Sequence, residues 1–144
     1  MTTAGMRRVW DWMAARLVDP PAAPKFKVSL FFLPLGAHGI YRNGVLIVRP
    51  WASRLIVIHE ACHHLWVLWN HWDFLPAGIS HTLEGDAFLQ VIGQGYWDER
   101  AIETWCATLT AILVDLPGVW RQPISGAMPC KGAVWTFSLF LKET

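Results

Sequence analysis

Leu55-Ile56-Val57-Ile58-His59-Glu60-Ala61-Cys62-His63-His64-Leu65-Trp66-Val67-Leu68 is an apolar run with one dense polar insert, His59-Glu60-x-x-His63. Residues four apart on an α-helix are separated by about 40° of rotation and one turn of rise. His59 and His63 therefore stack on one face and can aim two imidazole nitrogens at one cation. Glu60 points to the edge of that face, where it can take a proton from a metal-held water without filling a coordination position. Two ligands and a base is the division of labour of a zinc hydrolase helix. The competing readings are coincidence and a buried helix with satisfied core histidines. Burying several polar groups inside Leu, Ile, Val and Trp costs a few kcal/mol each unless they are paired, and a metal supplies that pairing.

The remaining composition narrows the class. A chain of 144 residues is read as one domain, 1–144, large enough to close a core without staples. A net charge of +1 with 16% charged residues gives no basic field for nucleic acid. The hydrophobic share is 53%, but Pro, Gly or a charge breaks every apolar run before the ~20 residues of a bilayer crossing, so no transmembrane segment is expected. Met1 to Arg8 resembles a short basic leader, yet Asp11 and Arg16 follow where a signal peptide needs an unbroken apolar stretch; an amphipathic helix fits better. Cys62, Cys106 and Cys130 are an odd set without paired short spacing, which fits a reducing compartment and a cytoplasmic location.

Along the chain, Val9, Trp10, Met13 and Leu17 have a helical period across Met6 to Val18, and Pro20, Pro21 and Pro24 stop it. Phe26 to Leu33 reads as a strand. Gly39 to Arg42 and Val45 to Val48 flank Asn43-Gly44, a strong hairpin signal because both turn positions favour φ above zero. The expected fold class is α+β, a small antiparallel meander of about three strands packed on helices. Ser53 caps the motif helix, which begins at Arg54 and ends near Asn70. A short helix is expected from about Thr82 to Ile92, closed by Gly93, and a last long one from an Asp98 cap to about Val114, stopped by Pro117-Gly118. Ala133 to Leu141 is readable as strand or helix.

Catalytic zinc wants three protein ligands and an open position. A third His ten residues after the first, the metzincin pattern, would fall on Trp69; His71 is two residues late. Another helix must bring the ligand, and the one after Asp98 offers Glu99 and Glu103. The stripe running from Glu103 holds Cys106, Ala107, Thr110 and Ala111, small enough for the close helix packing that a metal–oxygen bond of about 2 Å demands. Glu103 is the preferred ligand and Glu99 the reserve.

The order of a helix, strands carrying Gly39 to Val48, then Val57-Ile58-His59-Glu60-x-x-His63-His64, and later Arg100-Ala101-Ile102-Glu103 with a small residue at Cys106 resembles the compact gluzincins. The nearest are ImmA/IrrE-type metallopeptidases, with SprT-type and phage-associated minigluzincins as relatives. The resemblance covers about residues 26–115. It implies a zincin-like fold, one Zn2+ per chain on His59, His63 and Glu103, Glu60 as general base, and a peptide or protein as substrate. It also implies that the strand before the helix, Val45 to Val48, offers its edge to the substrate. The chain departs from the pattern at Ala107, where those families carry Asn or Asp; a ligand imidazole usually needs a polar partner to fix its tautomer.

His81, Tyr96 and His64 are candidates for an oxyanion stabiliser, and Asp73, Glu84 or Asp86 for the missing polar partner. Trp66, Trp69 and Trp72 recur every three residues in a chain with ten Trp. Helix packing explains such a stripe, and an aromatic substrate wall or a weak membrane-surface contact are the functional alternatives. Beside a hydrolase stand two other readings: a catalytically silent metal-binding or interaction module of the same fold, and a Trp-rich membrane-surface protein whose His-Glu pattern is fortuitous.

Overall fold

The structure is a computed structural model that describes residues 1–31, 33–34, 36–70 and 82–143. Helix α1, Thr3–Ala14, starts on the side chain of Thr2, which accepts a hydrogen bond from the Gly5 amide, and buries Met6, Val9, Trp10 and Met13. It begins and ends earlier than its apolar period suggests. Leu17 instead forms a β-bridge with Leu141, and the Val18 amide donates to the Phe140 carbonyl, tying the helix exit to the far end of the chain.

Three short strands follow: β1, Lys25–Val28; β2, Gly39–Arg42; β3, Val45–Val48. Asn43 and Gly44 have φ of 50° and 81°, so the hairpin forms where its turn chemistry places it. The sheet is mixed rather than an antiparallel meander. Its order is β1-β3-β2, with β1 parallel to β3 and β2 antiparallel to it. The cause lies in residues 29–38. The strand expected to reach Leu33 ends at Val28, because the Ser29 hydroxyl donates to the Phe31 carbonyl and accepts the Phe31 amide, a local bond that competes with the ladder. The Arg49 guanidinium then holds the carbonyls of Ala37 and Leu30, carrying the chain past β3 to its far side. β3 is central, with Leu46 and Val48 fully buried. Hydrogen-bonded on both sides, it has no edge to offer a substrate strand, and that expectation is corrected; the free edges belong to β1 and β2.

Helix α2, Arg54–Asn70, carries the motif, and the Ser53 hydroxyl caps its Ile56 amide. It is buried nearly all round, as a helix without a polar face must be. Helix α3, Leu83–Ile92, is capped by Thr82 and closed by Gly93 at φ 75°. Helix α4, Glu99–Val114, is capped by Asp98 and stopped by Asp115 in the left-handed conformation, just before Pro117-Gly118. The tail is neither strand nor α-helix. A tight turn at Ser125 and Gly126, both with positive φ, bridges Ile124 to Ala127, and Lys131–Phe137 is a 3-10 helix that buries Ala133, Thr136 and Phe137.

The core lies where α1, the sheet, α4 and the tail meet α2. Aromatic rings fill much of it: Trp66 meets Trp97 edge-on at 5.4 Å, Trp69 stacks on Phe140 at 4.1 Å, and Trp105 meets Phe137 at 5.1 Å. These tryptophans serve packing. Trp51 and Trp135 remain exposed, and Trp72 falls outside the described residues. Among the described residues no helix is long and apolar enough to cross a membrane, and Cys62, Cys106 and Cys130 are free thiols.

Candidate metal centre

Two helices and one strand build the site. α2 presents His59, Glu60 and His63, whose ligand atoms all lie within 4.8 Å of one another, so the group could hold a metal ion. α4 brings in Glu103 from the other side. Its Oε2 is 2.9 Å from Nε2 of His59 and its Oε1 is 3.0 Å from Nε2 of His63, so one carboxylate spans both imidazoles. The close approach of the helices depends on small side chains: Cys106, Ala107, Thr110 and Ala111 are fully buried, and the Cys62 thiol lies 3.5 Å from the Thr110 hydroxyl. Glu99, four residues earlier, is exposed and lines the cavity mouth without touching either imidazole.

The donor set fits zinc in chemistry and nearly in size. Two imidazole nitrogens and a carboxylate oxygen are borderline donors of the kind zinc takes. Ligands at about 2.0–2.1 Å from one tetrahedral ion stand about 3.3 Å apart, so contacts of 2.9 and 3.0 Å need open by only a few tenths of an ångström. The site lacks one support. Nδ1 of His59 is buried and has no hydrogen-bond partner. Ala107, where a polar residue was expected by resemblance, packs with Ala111 and Ile124 in a small apolar cluster. Glu84 and Asp86 sit in the first turn of α3, and Asp73 lies outside the described residues.

The two carboxylates are tuned in opposite directions. Burial raises the pKa of Glu103, but hydrogen bonds from His59 and His63 and the charges of both rings outweigh it and bring the pKa down to about 2. Burial dominates at Glu60 and raises its pKa, the charges of His63 and His59 offsetting only part of that rise. Burial also lowers the pKa of His63, yet the hydrogen bond to Glu103 and the charges of Glu60 and Glu103 carry it above its ordinary value. Glu103 is thus held as an anion by its two imidazole partners, and Glu60 is the more readily protonated of the two carboxylates.

Strand β2 supplies the roof. The Arg49 amide donates to the His38 carbonyl. By the alternation of an antiparallel ladder, the amides of Ile40 and Arg42 then point at β3, and those of Gly39 and Tyr41 point away from it. The Tyr41 backbone amide hydrogen-bonds Glu60, so the free edge of β2 runs along the site. Gly39 is needed for this contact. A Cβ there would stand 3.0 Å from Cγ2 of Ile56, 3.2 Å from Cγ of Glu60 and 3.2 Å from Cγ1 of Val48.

The oxyanion candidates fare differently. His64 faces away from the site: Nδ1 meets the Tyr41 hydroxyl at 2.7 Å and Nε2 donates to the Ala22 carbonyl at 2.9 Å, leaving no nitrogen for a substrate. That role is corrected to a structural one. Tyr96 is exposed in the loop before α4 and lines no cavity at the site. His81 lies outside the described residues. His38 was not expected, yet it lines the cavity of about 460 Å³ that also holds Glu60, Glu99 and Glu103. Nothing in the local sequence marks it, because a loop histidine acquires meaning only from what the sheet places opposite it. Comparison with protein-family models, curated proteins and solved structures finds no match to this chain.

Proposed function

We propose that this protein is a zinc-dependent metallopeptidase that hydrolyses peptide bonds with Glu60 as general base. The observation that carries the reading is the single Glu103 carboxylate bonded to Nε2 of both His59 and His63, with the buried Glu60 carboxylate beside them at the cavity. His59, His63 and Glu103 would hold the zinc ion, which would supply Lewis acidity and a more acidic water when bound. Glu60 accepts the proton released during attack and returns it to the departing amine; its raised pKa suits both halves of that task. No covalent intermediate is required. A peptide laid along the free edge of β2 would be held by the Gly39 backbone and the Tyr41 carbonyl, a strand-addition mode, while the Tyr41 amide stays on Glu60.

A second reading, a metal-binding module without hydrolytic activity, draws support from one observation, the buried His59 Nδ1 with no acceptor. With Nε2 on a metal the ring proton moves to Nδ1, and a buried donor left unpaired costs about 1–3 kcal/mol. Two measurements separate the readings. Protein purified without added metal should carry about one zinc per chain. A peptide library should be cut in a chelator-sensitive manner by the native protein and left intact by Glu60→Gln. Zinc at that level with no cleavage would support the silent module; no zinc at all would defeat both.

A further inference from the structure

Two cavities flank Glu103. The first, about 460 Å³, contains Glu60, His38 and Glu99; the second, about 800 Å³, is walled by Ile92, Ala101, Ala127, Met128 and Pro129 with Arg100 among them. Glu103 and Ser125 line both, so the two cavities share a wall at the candidate ligand carboxylate. Successive residues on a helix diverge by about 100°. Glu99 and Arg100, adjacent at the start of α4, are thereby sent to opposite sides of Glu103, one negative and one positive. Arg100 has no carboxylate within salt-bridge distance among the described residues, and it sits in the first turn of α4, where the helix dipole disfavours a cation. Among the described residues no carboxylate repays that placement.

We propose that the two cavities form one charge-polarised substrate groove, which selects polypeptides with a basic residue on the Glu99 side of the scissile bond and an acidic residue on the Arg100 side. The second cavity is large for one side chain and mixed in character, with Gln94 and Thr104 beside its apolar wall. It would seat an aliphatic residue next to the cut, with the acidic group beyond it at Arg100. Contacts to Ile92, Met128 and Pro129 then provide burial, while Glu99 and Arg100 set the direction in which a chain lies. A chain threaded backwards would set like charges against each other at both ends.

This inference rests on the peptidase reading, and its test keeps the two apart. The full-length zinc protein is given a peptide library in which the residues flanking an aliphatic cut site are basic–acidic, acidic–basic or uncharged. Native protein should prefer one charged orientation over its reverse by roughly tenfold in kcat/KM, since reversal replaces attraction by repulsion at both exposed pairs. The doubly exchanged variant, Glu99→Arg with Arg100→Glu, should invert the preference, and 1 M salt should flatten it in both proteins. Cleavage that ignores flanking charge, or a preference the exchange leaves unaltered, overturns the groove while the peptidase stands. If nothing is cut, the peptidase reading fails. The groove is then judged by NMR titration of the same peptides, where orientation-dependent shifts at the Arg100 guanidinium sustain it and their absence refutes it.

Discussion

His63 and His64 are neighbours in sequence and belong to different machines. His63 lies on the face of α2 that meets Glu103 at 3.0 Å, and its pKa is raised. His64, one residue on, is clamped between the Tyr41 hydroxyl and the Ala22 carbonyl, and burial lowers its pKa. About 100° of helical rotation separates a candidate ligand from a structural pin. Residue type alone does not say what a histidine does; the groups on its side of the helix decide.

The largest expected contrast comes from deleting each ring. His63→Ala should lose the zinc and all hydrolysis. His64→Ala should retain about one zinc per chain and lose roughly 1–3 kcal/mol of stability in urea unfolding, the cost of leaving Tyr41 and Ala22 without their partner. A His64→Ala protein that folds normally but binds no metal would dissolve the distinction. Glu60→Gln should keep the metal and lower kcat by at least about a hundredfold, read by parallel metal analysis and peptide hydrolysis.

Gly39→Ala tests the strand rather than the helix. Its new methyl would press on Ile56, Glu60 and Val48 and should cost about 1–3 kcal/mol as an overpacked contact. Because Glu60 is among the atoms displaced, kcat should fall further than zinc content does; unchanged kinetics would show that β2 does not position the base.

The smallest effect is a difference in pH dependence, measured on chelator-treated protein. His63, with a folded pKa above its unfolded 6.5, contributes stability that is present below pH 6.5 and lost as pH rises through the folded value. His64, with a folded pKa below 6.5, works in the opposite sense: folding suffers as pH falls from 6.5 through the folded value. Glu103 adds an acid limb, with stability present above about pH 4.5 and lost toward pH 2. His64→Gln should therefore reduce the loss of stability just below pH 6.5 and leave the acid limb in place, as followed by urea unfolding across that range.

Much of the local structure is legible in the chain because its signals are local. Asn43-Gly44 specifies the hairpin through φ, Thr82 and Asp98 start their helices through side-chain caps, and the spacing of His59 and His63 puts them on one face whatever surrounds them. The small stripe along Glu103 likewise announces close packing, and those residues are buried. The sheet order is not legible in this way. Which side of β3 receives β1 depends on Ser29 ending a strand early and on Arg49 gathering distant carbonyls.

By itself, then, the amino-acid sequence determined the α2 motif, the hairpin and the short list of carboxylates from which a third ligand could come. Tertiary structure decided that Glu103 rather than Glu99 meets the imidazoles, that β2 rather than β3 has the free edge, that His64 is spent on packing, and that His38 faces the cavity. The physical reason is range. Caps, turns and helical phase are settled within about one turn of chain, whereas a site made of α2, α4 and β2 depends on where the burial of distant apolar faces brings those elements to rest.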